Sequence, residues 1–190
     1  MYQVGEKVVY GIHGVCRVAD LEERIIDRKH LTYLVLAPEG QDGSKYLVPT
    51  HNAGAMSKLC KLLTPAEMEE LFQSDAIDRD CWVKDENQRK QLYRELICST
   101  DRAALMAMVR TLYRQKASLL ASGKKFHLCD ENFLRDAEKL LHAEFSQVLG
   151  IETGKVGVFI RNTMKDTREC PHQKDNCACE TDQNEMSSSK

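Results

Sequence analysis

The hydrophobic pattern changes period once, near residue 64, and that change restricts the fold to a β-module followed by a helical one. Before it, apolar residues come in short runs punctuated by turn residues. Lys7-Val8-Val9-Tyr10 is a β-rich run, closed by Gly11 and reopened after His13-Gly14. Residues 15–18 and then 21–26 continue as strand, with Val15, Arg17 and Ala19 on one face and Cys16 and Val18 on the other. Thr32-Tyr33-Leu34-Val35-Leu36 is the clearest strand, and Pro38-Glu39-Gly40 breaks it. Gln41-Asp42-Gly43-Ser44 is a hairpin-type turn into the strand Lys45-Tyr46-Leu47-Val48, which Pro49 stops. Strands this short and this closely spaced predict a small, strongly bent sheet or barrel, a module that binds more often than it catalyses.

Beyond residue 64 the spacing is helical. Thr64-Pro65-Ala66-Glu67 is a capping box with proline at the first helical position. Met68, Leu71 and Phe72 give that short helix an apolar side, and the polar run 73–80 reads as a hinge. Leu92, Leu96 and Ile97 mark the buried side of a helix starting near Cys81 or Trp82. Ser99-Thr100-Asp101 ends it and caps a second, in which Leu105, Met108, Val109, Leu112 and Leu119 share a face until Ser122-Gly123. A third runs from about Asp130 to Gly150, and a shorter fourth from about Glu152 to Met164. The predicted class is α+β. Its units are a β-domain at 1–63, a short helix and acidic hinge at 64–80, a compact all-α domain of about four helices at 81–164, and a disordered, cysteine-containing tail at 165–190.

With 42% hydrophobic and 29% charged residues the chain resembles an ordinary globular protein. No window approaches the roughly 18 uncharged apolar residues of a membrane span. Met1-Tyr2-Gln3-Val4-Gly5-Glu6 lacks the regions of a signal peptide, so a cytoplasmic location, reduced cysteines and no membrane partner are expected. The net charge of -2 conceals an asymmetry. Between Thr64 and Cys81 six acids face Arg79 alone, whereas from Trp82 to Lys125 ten bases face four acids, a local +6. Such a field suits either a solvated helical surface or a polyanion.

Several residues could carry chemistry. Trp82, the only tryptophan, stands at the entrance to the basic stretch, where an indole either wedges into distorted DNA or plugs a seam between domains. Arg102, Arg110 and Arg114, at spacings of eight and four, are read as one stripe able to meet successive phosphates. Cys16, Cys60, Cys81, Cys98 and Cys129 are isolated and read as small buried hydrophobes. Cys170, His172, Cys177 and Cys179 form C-P-H-x4-C-x-C, with ligand types that suit zinc but without the paired C-x2-C of a structural site; no metal or other cofactor is predicted. The six histidines are scattered, and the glycine-rich phosphate loop, G-x-S-x-G and H-E-x-x-H are all missing, so no catalytic residue is assigned and no enzyme is predicted.

The order of these features resembles a known family. Val4-Gly5-Glu6-Lys7-Val8-Val9-Tyr10-Gly11-Ile12-His13-Gly14-Val15 is similar to the opening V-G-D-x-V-V-Y-P-x-H-G-V-G of the CarD/CdnL transcription regulators. Tyr33-Leu34-Val35-Leu36 and Leu47-Val48-Pro49 with Asn52-Ala53 resemble its later strands. Trp82 stands where that family has its tryptophan, and Val109-Arg110-x-Leu112 resembles its V-V-R-D-L helix. Gly123-Lys124-Lys125 and the run from Asp130 to Leu141 extend the likeness, which spans roughly residues 2 to 160.

The resemblance implies a Tudor-like N-terminal module, shared with transcription-repair coupling factors, that docks on the RNA polymerase β subunit. Docking would proceed partly by adding a strand to an exposed sheet edge. It further implies a helical domain lying on promoter DNA at the upstream edge of the bubble, altering open-complex stability through contacts that carry little base information. Arg24 falls where the family places a polymerase-contacting arginine; its second such position is Leu47 here, with Lys45 two residues earlier on the same face. Trp82 would be the wedge and Lys84 a base beside it. Asp85 and Glu86 occupy the next expected basic positions, so Arg89 and Lys90, with Arg110 and Arg114, are left to meet phosphates. Two other readings stay open: an adaptor without DNA contact, favoured by Asp85 and Glu86, and a zinc- or redox-responsive factor acting through the tail cysteines. A homodimer formed by exchange of the β-module also stays open.

Overall fold

The computed structural model describes residues 2–40 and 43–165. Gln41 and Asp42 of the expected turn, and the tail with Cys170, His172, Cys177 and Cys179, lie outside the described residues. The N-terminal alternation builds a five-stranded antiparallel sheet from β1 (Lys7–Tyr10), β2 (Val15–Ile26), β3 (Lys29–Pro38), β4 (Tyr46–Pro49) and β5 (Leu59–Lys61). Their order is β4-β3-β2-β1-β5. The runs 15–18 and 21–26 are one strand, continuous through a bulge where the register against β3 shifts between Val18 and Asp20. The extra residue bends β2 and lets it belong to both ends of a curved sheet. One face carries Val8, Cys16, Val18, Leu34, Leu36, Val48 and Leu59 as the module's core. Each fully buried Val or Leu there contributes about 1.5–3 kcal/mol relative to exposure. The single-turn helix α1 (Ala53–Met56) leads into β5.

The helical half comprises α2 (Pro65–Gln73), α3 (Glu86–Cys98), α4 (Arg102–Ala121), α5 (Leu128–Leu149) and α6 (Thr153–Lys165). The capping box at α2 is formed: Thr64 Oγ1 accepts from the Glu67 N–H at 3.2 Å, and the Glu67 carboxylate accepts from the Thr64 N–H at 2.7 Å. The Thr64 N–H foremost, and the Thr64 hydroxyl donating to the same carboxylate at 2.8 Å, hold the Glu67 carboxyl below its ordinary range. Met68 and Phe72 of α2 enter the same core as Tyr93, Met108, Leu134 and Phe145, so α2 packs with the helices.

Two expectations are corrected in this region. The acidic run read as a hinge is docked: Asp75–Asp78 is a 3-10 turn whose Ile77 is buried in the helical core, and Asp78 pairs with Arg110 at 2.6 Å. An apolar residue at the centre of a polar run was enough to anchor it. The first long helix begins at Glu86 rather than near Cys81, because Asp85 caps it by accepting from the Gln88 N–H at 2.8 Å. Trp82 therefore stands on an irregular segment ahead of α3.

The two halves meet over an ordered contact. Arg102 at the start of α4 makes a two-bond pair with Glu144 of α5, at 3.1 and 2.8 Å, and donates to the Lys61 carbonyl of β5 at 2.7 Å. Glu144 also accepts from the Leu63 N–H at 3.0 Å. Lys7 of β1 reaches Gln147 of α5 at 2.5 Å. Leu140 packs so near Gly14 that a Cβ there would lie 3.5 Å from it. Arg102 is thus no member of an exposed arginine stripe. A helix turns about 100° per residue, so eight positions bring Arg110 some 80° round from Arg102, toward a different neighbour.

Candidate functional site

Strand register decides which residues share the outer face of the β-module. Leu34 opposes Val48 and both are buried; Val35 opposes Leu47, Tyr33 opposes Glu22 and Pro49, and Arg24 opposes Leu31. Directly opposed residues project to the same side, and neighbours alternate. Arg24, Glu22, Tyr33 and Leu47 therefore stand on the face away from the core. Arg24 donates twice to Glu22, at 2.7 and 3.1 Å, and its guanidinium lies 5.8 Å from the centre of the Tyr33 ring. Leu47 is exposed on β4, which is an edge strand, and Lys45, two residues earlier and just before that strand, is exposed as well. The fold brings Arg24 and Leu47, 23 positions apart in the chain, onto one surface.

The helical half has a second concentration of sequence-selected residues around Trp82. The segment carrying it is tied to α4 by Thr111: the Cys81 N–H donates to Thr111 Oγ1 at 3.1 Å, and that hydroxyl donates to Asp80 at 3.3 Å. Asp80 in turn accepts from the Trp82 N–H at 3.1 Å. The indole packs partly against the helical core, and the Arg89 guanidinium lies 4.3 Å from its ring centre.

Arg89 is where expectation and structure part most clearly. Expected to meet phosphates, it is only 5% exposed and donates to both carboxylate oxygens of Asp130 at 3.0 Å. Burial alone would lower its pKa, but the bond and charge of Asp130 raise it, so Arg89 is a fixed cation inside the fold. Periodicity could not reveal this, since its partner lies 41 residues away.

Of the remaining bases, Lys84 is exposed immediately after the tryptophan segment, and Arg114 is exposed on α4 with a long 3.4 Å contact to Thr111. Lys90 is paired with Glu86, whose carboxyl that bond and charge hold below its ordinary range. Arg110 is partly exposed beside Asp78. Of the ten bases between Trp82 and Lys125, Arg89, Lys90, Arg102, Arg110 and Lys116 stand in ion pairs. Several of their partners lie outside that stretch, so the local +6 overstates the field in space. The unexpected members of the site are Thr111, Asp130 and Glu144, each buried and polar.

Burial pushes the Cys16 thiol up to about 11 and those of Cys60 and Cys81 above their ordinary value. Cys16 is fully buried as expected, whereas Cys98 is exposed at the end of α3, away from the apolar face that holds Tyr93 and Ile97. Among the described residues no cluster of His, Cys, Asp and Glu is arranged to hold a metal, and no helix is long and apolar enough to cross a membrane.

Residues 2–60 match the CarD-like/TRCF RID domain. The N-terminal module is a CarD-like/TRCF RID domain. The match spans β1 to β4, α1 and the first part of β5, and stops before the helices. No curated protein matches the chain. A RID domain is a protein-interaction module rather than a catalytic one, and it assigns this chain a general RNA polymerase-binding role in transcription.

Proposed function

We propose that the RID module docks on the RNA polymerase β subunit through the outer face of β2–β4, and that the helical half contacts promoter DNA at the upstream edge of the bubble. On this reading Arg24, Lys45 and Leu47 serve polymerase. Trp82 wedges at the fork, with Lys84, Lys90, Arg110 and Arg114 near phosphates. Arg89 leaves that set because it is buried. The match of residues 2–60 to the RID domain carries the polymerase half of the reading. It is supported by the bonds of Arg102 to the Lys61 carbonyl and of Glu144 to the Leu63 N–H, which join the helical half to the end of the RID module. The effect is thermodynamic: a ligand with differential affinity for open promoter complexes shifts that equilibrium without making or breaking a bond.

A second reading, a polymerase-binding adaptor without DNA contact, is favoured by the ion-pairing of half the bases in the helical stretch. Asp85 and Glu86 favour it less than their sequence positions imply, because one caps α3 and the other holds Lys90. Two binding experiments separate the readings. Arg24→Glu should weaken binding to polymerase, and Trp82→Ala should weaken binding of the polymerase complex to forked promoter DNA while leaving polymerase binding intact. Fork binding unchanged by Trp82→Ala would select the adaptor.

A further inference from the structure

Arg89 and Asp130 raise a question that stability alone does not answer. A buried ion pair is often no more stabilising than well-packed apolar residues of the same volume, yet here α3 buries an arginine among its core-facing residues. Its guanidinium is engaged on every side. Nε and Nη2 bind the two oxygens of Asp130, each at 3.0 Å. Nη1 donates to the carbonyl of Val83 at 2.7 Å and toward that of Lys84 at 3.3 Å, the two residues that follow Trp82. Its centre lies 4.3 Å from the centre of the indole ring. The amide side of the same segment is held by Asp80 and Thr111.

We infer that Arg89 and Asp130 are positioning residues that hold Trp82 in its working orientation before DNA arrives. The inference rests on the proposed DNA role of Trp82. A side chain that must be ordered on binding loses affinity to that ordering, whereas one already locked by its support does not. Arginine is needed for the task. Its planar fork can grip a carboxylate, bond backbone carbonyls and lie beside an indole at the same time, and lysine has neither the plane nor the fork. Asp130, at the first turn of α5, fixes the guanidinium plane and through it the indole.

The test uses the whole chain with its cognate polymerase. Open-complex lifetime is measured for wild type, Arg89→Lys, Asp130→Asn, Trp82→Ala and the Trp82→Ala/Arg89→Lys double variant, and acrylamide quenching of the sole tryptophan for the three chains that keep it. Circular dichroism confirms folding at the assay temperature. Arg89→Lys should lose most of the lifetime effect and quench more readily, and the double variant should behave like Trp82→Ala. Should Arg89→Lys not fold, Asp130→Asn, of the same shape, carries the comparison. Wild-type lifetime and quenching in the folded positioning variants, or a double variant clearly weaker than Trp82→Ala, would overturn the inference while leaving the DNA role standing. Trp82→Ala without effect would instead remove the DNA role, and with it the purpose assigned to Arg89.

Discussion

Arg102 and Glu144 stand 42 positions apart, and their pair is the point at which the β-module is fastened to the helices. Glu144 is almost wholly buried and holds Arg102 with one side and the Leu63 N–H with the other. Removing one partner of such a pair leaves an uncompensated buried charge, at a cost of about 3–5 kcal/mol. Glu144→Ala should therefore lower the unfolding free energy by that order, read as a lower urea midpoint, and an Arg102→Met/Glu144→Leu double variant should recover much of the loss. Equal midpoints for Glu144→Ala and wild type would contradict the fastening. The sequence marked out Trp82, Arg102 and Arg89 as residues of interest but misjudged the two arginines. What decides their roles is a carboxylate contributed by another helix, and no local pattern encodes it. Arg24 and Leu47 were singled out by the family resemblance, and the strand register puts the two on one face of the sheet.

At the scale of elements, punctuation was the dependable signal. The capping box at Thr64, the cap at Asp101 and the stop at Gly150 all form where the residues place them. Gly150 takes φ 66°, with nothing within 4 Å of where a Cβ would stand. Its replacement therefore costs backbone strain alone. Gly150→Ala should destabilise by about 1–2 kcal/mol, and Gly150→Asn, which tolerates the left-handed region, by less; chemical denaturation of the two variants checks the order. The β2–β3 turn was missed because Asp27 and Arg28, at φ 51° and 62°, make a two-residue hairpin turn without the glycine that usually announces one. β5 escaped because three residues show no alternation. Gly11, where the resembled family carries proline, takes φ 44°, which a proline ring cannot adopt, so the departure is matched by a local change of backbone.

For the whole molecule, one change of hydrophobic period was enough to foresee a sheet followed by helices, and the contact between them was invisible for the reason that hid Arg102. That packing also gives the chain a pH response. Burial lowers the pKa of His142, with Glu138 opposing and Arg161 reinforcing the shift, and burial likewise lowers His13. A histidine with a depressed folded-state pKa takes up its proton more readily when unfolded. Stability should then be full above the ordinary value of 6.5 and fall as pH drops from there through the folded-state pKa. The lowered carboxylates Glu6, Glu67 and Glu86 add their own loss only below their ordinary 4.5. His142→Gln should flatten the upper part of that decline in urea midpoints taken across the histidine range; an unchanged slope would show that His142 titrates alike in both states.

The proposed function joins the two halves: a RID module that grips polymerase and a helical half that brings Trp82 to the promoter fork. The lifetime of open complexes formed by the cognate polymerase, with wild type, Arg24→Glu and Trp82→Ala, tests it most directly. Wild type should change the lifetime, and each variant, folded, should lose the effect. A wild-type protein that binds polymerase yet leaves the lifetime unaltered, or a Trp82→Ala variant as effective as wild type, would contradict it.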